Sequence, residues 1–155
     1  MGWTLDHLAL NVGDVEKSLR FYSEVLGLAL VRADAFHSGK APFPSIRINA
    51  GTIIDLLPRI EPNSHAISDS GMGTLNHFCL ALPQAEWQRL RERLQARGIP
   101  LTAGPVPRFG AQGNGIAMYF NDPDGNQIEA RYYAESSKTT CCGRGSYVTR
   151  VGLQE

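Results

Sequence analysis

Two histidines and two carboxylates stand at matched places in this chain. His7 lies in the run Leu5-Asp6-His7-Leu8-Ala9-Leu10, and His77 lies in Leu75-Asn76-His77-Phe78-Cys79-Leu80. The first run alternates with period two, as a half-buried strand does. One face carries Leu8, Leu10 and Val12, and the other carries Leu5, His7, Ala9 and Asn11. Glu129 sits in Gln127-Ile128-Glu129-Ala130-Arg131-Tyr132, where Ile128 and Tyr132 take the apolar face and Glu129 the opposite one. Asp55, in Ile53-Ile54-Asp55-Leu56-Leu57, is its counterpart in the first half of the chain. Imidazole nitrogen and carboxylate oxygen suit zinc, nickel, manganese and iron(II), and a set of three or four protein ligands leaves positions open for a substrate. A divalent metal ion would also offset the cost of placing four ionisable groups among apolar strands. A single strand histidine is more often a hydrogen-bonded core or edge residue than a ligand. Its pairing with a second histidine at the equivalent position, and with a carboxylate strand, is what points to a metal. Asp55 is one methylene shorter than a glutamate, and a hydrogen-bonded acid stays an open reading for it.

The elements that must position these groups are themselves repeated. A strand over about residues 4–12 feeds a helix with Asp14 as its N-cap, Val15, Leu19, Tyr22 and Leu26 at helical spacing, and Gly27 as its stop. Strand-like runs follow near 28–36, 44–50 and 52–57. In the second copy a strand over about 74–82 leads through Pro83 into a helix carrying Trp87, Leu90 and Leu94, closed by Gly98. Strands near 99–102, 115–121 and 126–133 follow, the last two joined by the tight turn Asp122-Pro123-Asp124-Gly125. This pattern predicts an α+β fold of two βαβββ modules, residues 1–58 and 74–134, forming a cupped mixed sheet. Residues 59–73 read as a linker, 104–115 as a Gly/Pro-rich loop, and 135–155 as a polar tail. His37 and His65 fall in presumed loops. Cys79 shares His77's side by alternation but reads as a small buried residue.

The bulk composition narrows the partners. At 155 residues the chain suffices for one core or two small modules that share one. Lys plus Arg and Asp plus Glu each total 15, so no net field exists to collect nucleic acid or an anionic membrane. A small-molecule substrate of neutral or mixed charge fits better. No signal-peptide pattern opens the chain and no run reaches membrane-spanning length. Three cysteines, two of them adjacent at Cys141 and Cys142, do not make a disulfide framework, and a reducing cytoplasm is the expected setting.

The repeat, the opening Asp6-His7-Leu8, the helix end Val25-Leu26-Gly27 and the closing Asp122-Pro123-Asp124-Gly125-Asn126-Gln127-Ile128-Glu129 resemble the vicinal oxygen chelate superfamily. That group includes glyoxalase I, extradiol dioxygenases, fosfomycin-resistance enzymes and bleomycin-resistance proteins. The resemblance covers residues 4 to about 133. It implies a metal on the concave side of the modules, usually in a homodimer, with His7, His77 and Glu129 at the recurrent ligand positions. Asp55 matches a fourth ligand that glyoxalase I supplies as glutamate. Where a glutathione-using glyoxalase I typically has an arginine and an asparagine, this chain has Asn11 and Arg59, so the glutathione clamp is not visible.

Two functions follow from that resemblance. One is a metal-dependent enzyme on a small oxygenated substrate. In a glyoxalase-like version Glu129 or Asp55 shuttles a proton between adjacent carbons; in a dioxygenase-like version the ion is iron(II). The alternative is a non-catalytic drug-binding or resistance protein of the bleomycin-resistance type. Arg47, Arg108, Tyr119 and Arg131 are candidate substrate-lining residues. For Arg108 a structural ion pair is the competing reading, and for Arg47 simple surface exposure.

Overall fold

The computed structural model describes residues 4–59 and 75–134. The expected linker, apart from Arg59, the 135–155 tail, His65, Cys141 and Cys142 lie outside the described residues. The first half runs β1 (His7–Val12), α1 (Val15–Arg20), β2 (Ala29–Val31), α2 (Ala33–His37), β3 (Ser45–Asn49) and β4 (Thr52–Pro58). The second half runs β5 (Phe78–Ala81), α3 (Gln84–Ala96), β6 (Leu101–Gly110), β7 (Gly113–Asn121) and β8 (Gln127–Tyr132). Each half makes a four-stranded mixed sheet, in the orders β1-β4-β3-β2 and β5-β8-β7-β6, so the two sheets repeat one topology. In both, the first strand lies parallel to the last and the others pair antiparallel.

The helix ends follow the local chemistry of the sequence. Asp14 holds an extended backbone and its carboxylate accepts from Lys17 N at 2.9 Å, which satisfies one of the free donors at the start of α1. We expect Asp14→Ala to cost about 0.5–2 kcal/mol in a denaturant titration. An unchanged midpoint would show that this cap does not hold the helix. The helix continues through a π-helical turn over Phe21–Val25, and Gly27, at φ 75°, then releases the chain toward β2. Gly98, at φ 64°, does the same after α3.

Two stretches differ from the sequence expectation. The run 28–36 is a strand only over Ala29–Val31. Arg32 takes a left-handed backbone at φ 60°, and the alanine-containing segment Ala33–His37 coils into α2, with Ser38 Oγ donating to Asp34 O. His37 is therefore helical, with Nε2 2.7 Å from Glu16 Oε1. The expected loop over 104–115 is instead most of a hairpin. β6 continues to Gly110 and pairs with β7 from Gly113, leaving Ala111-Gln112 as the turn. Pro105 and Pro107 are tolerated because β6 is an edge strand and register shifts interrupt its first half.

One core serves both modules. Leu10, Val12, Leu19, Tyr22, Ile54 and Leu56 of the first half join Trp87, Leu94, Phe120 and Ile128 of the second. The helical sides of the modules therefore face each other, with Phe21 and Phe120 ring centroids 6.4 Å apart. The other face of each sheet is left for the polar groups. Trp87 fixes the strand that carries Glu129 from behind, its Nε1 donating to Ala130 O at 2.8 Å.

Candidate metal centre

His77 immediately precedes β5, and Glu129 lies on β8, the strand paired with β5. His77 Nε2 is 3.0 Å from Glu129 Oε2. The other ring nitrogen, Nδ1, is 2.7 Å from Asn76 Oδ1, which accepts its proton. A neutral His77 in that tautomer turns a lone pair toward a carboxylate oxygen. Two acceptors repel at this distance unless a positive charge lies between them, either a proton on Nε2 or a metal ion. Ligand atoms of one zinc-like ion each stand about 2.0–2.2 Å from it, so neighbours 3.0 Å apart fit a shared ion. Fixing the remote ring nitrogen is also how metal-bound histidines are ordinarily oriented.

Glu129 is buried, with 4% of its side chain exposed, but it is not without a counter-charge. Arg131, two residues on and therefore on the same face, donates Nε to Oε1 at 2.9 Å, and its Nη2 donates to the same oxygen. Burial pushes the Glu129 carboxyl up; the Arg131 guanidinium, with the Tyr119 hydroxyl beside it, more than reverses this and leaves it below its ordinary value. Tyr119 is the cross-strand neighbour of Glu129, and its ring meets His77 edge-on with centroids 5.6 Å apart. Burial and the carboxylate together push the Tyr119 hydroxyl up, keeping it protonated.

The first module repeats half of this arrangement. His7 Nδ1 is 2.8 Å from Asp6 Oδ1, as His77 is held by Asn76. That hydrogen bond, with the nearby Asp55 charge, raises the His7 pKa. Asp55 lies on β4 opposite Ala9, hence on the side of β1 that His7 takes, and accepts from Ser45 Oγ at 2.6 Å. The cost of burying four ionisable groups is smaller than the sequence suggests. His7 is 53% exposed, Asp55 is hydrogen-bonded, and Glu129 already has Arg131.

The ligand candidates thus form two pairs on two sheets, and among the described residues no strand of one sheet is hydrogen-bonded to the other. Among the described residues, no three His, Cys, Asp or Glu side chains close on one point. The family model for the Glyoxalase/Bleomycin resistance protein/Dioxygenase superfamily matches residues 4–130, both modules with their histidines. The chain belongs to that superfamily. It is 33% identical over 132 residues to the virulence protein STM3117 of Salmonella typhimurium, covering 83% of each chain. It is 24% identical over 148 residues to the glutathione transferase FosA of Serratia marcescens, covering 96% of this chain and 94% of that one. A solved glyoxalase/dioxygenase structure from Nostoc punctiforme superposes with a TM-score of 0.67 at 28% identity, covering 85% of this chain and 92% of that one.

The remaining candidates occupy different places in this glyoxalase-superfamily chain. Arg108 is exposed on β6, near Tyr119, and donates to its neighbour's carbonyl, Pro107 O, at 3.1 Å. Arg47, half-buried on β3, is in the first module. Arg131 is tied into the Glu129 pair and is nearly inaccessible. Cys79 is exposed beside Glu129 instead of buried. Sequence reading passed over Asp6, Asn76 and Ser45. The first two were findable, because each directly precedes its histidine at the repeat-equivalent position. Ser45 becomes visible only through its pairing with Asp55 across β3 and β4.

Proposed function

We propose that this chain is a metal-dependent enzyme of the glyoxalase/dioxygenase type that acts on a small oxygenated substrate. The single observation that carries this reading is the His77–Glu129 pair, held 3.0 Å apart with the far ring nitrogen already committed to Asn76. When bound, a divalent ion would polarise a substrate oxygen or lower the pKa of a bound water. His77 and Glu129 would be two of its ligands, and His7 and Asp55 the others. Relatives named as a glutathione transferase and as a glyoxalase/dioxygenase favour an enzyme over a passive binder.

Since the pairs lie on separate sheets, the full ligand set is proposed to come from two copies of the chain. Among the described residues, the strand that carries His7 and the one His77 leads into are both sheet edges, each paired on one side only. An open edge is a template for a further strand, and a twofold homodimer would set β1 beside β5 of the second copy twice over. In each centre Asp55, with one oxygen accepting from Ser45 Oγ, would turn the other toward the ion. Tyr119 and Arg108 stand beside Glu129 to orient an oxygen-bearing substrate.

The reading is tested by elemental analysis of the full chain purified without chelator, beside His77→Ala prepared identically. The variant is expected to bind metal at least about 100-fold more weakly while keeping its fold. Full metal content in His77→Ala would remove the centre proposed here.

A further inference from the structure

Arg131 has more partners than an ion pair requires. Its guanidinium donates Nε and Nη2 to Glu129 Oε1, Nη2 also to Phe109 O at 3.2 Å, and Nη1 to Tyr133 Oη at 3.1 Å. The group therefore lies beneath the β6–β7 hairpin, clamped between β8 and the end of β6. Tyr133 is held in turn, its hydroxyl accepting from Gln112 N at 3.4 Å in the hairpin turn. Space for this clamp is provided by Gly110. A Cβ at that position would overlap Arg131 Nη1 and come within 2.5 Å of the Tyr133 hydroxyl. Gly110 is not at positive φ, so its backbone would accept alanine. What excludes a side chain there is first the guanidinium and then the Tyr133 hydroxyl that the guanidinium holds.

We propose that Arg131 is a positioning residue that occupies Glu129 Oε1, so that only Oε2 faces His77 and the ion, and that the absent side chain of Gly110 provides the space it fills. The inference rests on reading Glu129 as a ligand and adds how that ligand is set. A planar fork fixes the rotation of the carboxylate, which a point charge does not. Left free, Glu129 could turn either oxygen, or both, toward the ion. Arg131 makes it a one-oxygen ligand whose charge is already partly compensated. The hairpin tip, remote in sequence from His77 and Glu129, thereby becomes part of what sets the affinity of the centre.

The experiment is a double-mutant cycle in the full chain, with Co2+ as the probe. Binding is titrated by its visible absorption, and folding is checked by circular dichroism. Gly110→Ala is expected to weaken Co2+ binding about 10–100-fold and to change the absorption spectrum, as loss of a partner that orients a ligand does. Arg131→Ala is expected to do the same. Arg131→Lys keeps the charge and is expected not to rescue, because its single nitrogen cannot stand at the positions from which Nε, Nη1 and Nη2 separately serve the carboxylate, Tyr133 and Phe109 O. In the Arg131→Ala background, Gly110→Ala is expected to change affinity by less than about twofold, since the guanidinium is gone and the neighbour still displaced, the Tyr133 hydroxyl, reaches Glu129 only through Arg131. Equal effects of Gly110→Ala with and without Arg131, or full rescue by Arg131→Lys, would overturn the proposal. Wild-type Co2+ affinity in His77→Ala would instead overturn the metal-centre reading itself, so the two failures are distinct.

Discussion

Protein in which His7→Ala and His77→Ala chains are unfolded together and refolded as a mixture should regain metal binding that neither variant shows alone. In a homodimer whose centres each take His7 from one copy and His77 from the other, both centres of each pure variant lack a histidine. A mixed dimer has one centre missing both and one missing neither. Random assortment makes about half of the dimers mixed, so roughly a quarter of the wild-type centres should return. The geometry behind this is the separation of the two ligand pairs onto two sheets that share a core but no ladder. Metal retained after exhaustive dialysis, read beside the mass in solution, is the measurement. If each centre were assembled within one chain, every molecule in the mixture would lack a ligand and nothing would be regained. A chain that is monomeric yet binds metal would refute the two-copy arrangement just as directly.

The faces of β1 and β8 were legible because alternation is a local property. Leu10 and Val12 turn inward and His7, Ala9 and Asn11 outward, as period two requires. Asp14, Gly27 and Gly98 also end their helices where their chemistry predicts. The hairpin was hidden for the opposite reason. Gly104, Pro105, Pro107 and Gly110 read locally as a loop, and what makes them a strand is pairing with Ile116, Ala117 and their neighbours on β7. The same holds for the site. Arg131 could be placed on the face of Glu129 by its spacing, yet its clamp needs Phe109 O and the missing side chain of Gly110, both supplied from another strand. That His7 and His77 lie on separate sheets depends on how the modules pack, and strand periodicity carries no information about that.

Asp122→Ala should be the most destabilising single substitution considered, because one carboxylate closes the seam between the modules. Asp122 is 6% exposed and accepts four hydrogen bonds: Tyr22 Oη at 2.9 Å, Asp124 N at 3.0 Å, Asn126 N at 2.8 Å and Asn126 Nδ2 at 2.9 Å. Tyr22 belongs to the first module and is wholly buried; burial and then the Asp122 charge push its hydroxyl far up, so it stays a donor. The turn that Asp122 organises also places Asp124, which accepts from Gly13 N at 2.7 Å and Ser18 Oγ at 3.1 Å, again in the first module. Alanine would strand the Tyr22 hydroxyl and two turn amides at about 1–3 kcal/mol for each buried group left unpaired. With partial relaxation, a total loss of about 3–5 kcal/mol is expected, a large share of the roughly 5–15 kcal/mol typical of a whole domain. Tyr22→Phe removes the donor and leaves Asp122 its three other partners, so it should cost only about 0.5–1.5 kcal/mol. Urea titrations of the three proteins give both values. Asp122→Ala within about 1 kcal/mol of wild type would show that the seam is held by apolar contacts such as Phe21 on Phe120 instead, and Tyr22→Phe costing as much as Asp122→Ala would show that the Tyr22 bond alone, not the turn, carries the effect. Since the seam lies on the helical side of both sheets, Tyr22→Phe should also leave metal affinity unchanged. Stability and the ligand set are thus carried by opposite faces of the same strands, and each can be altered without the other.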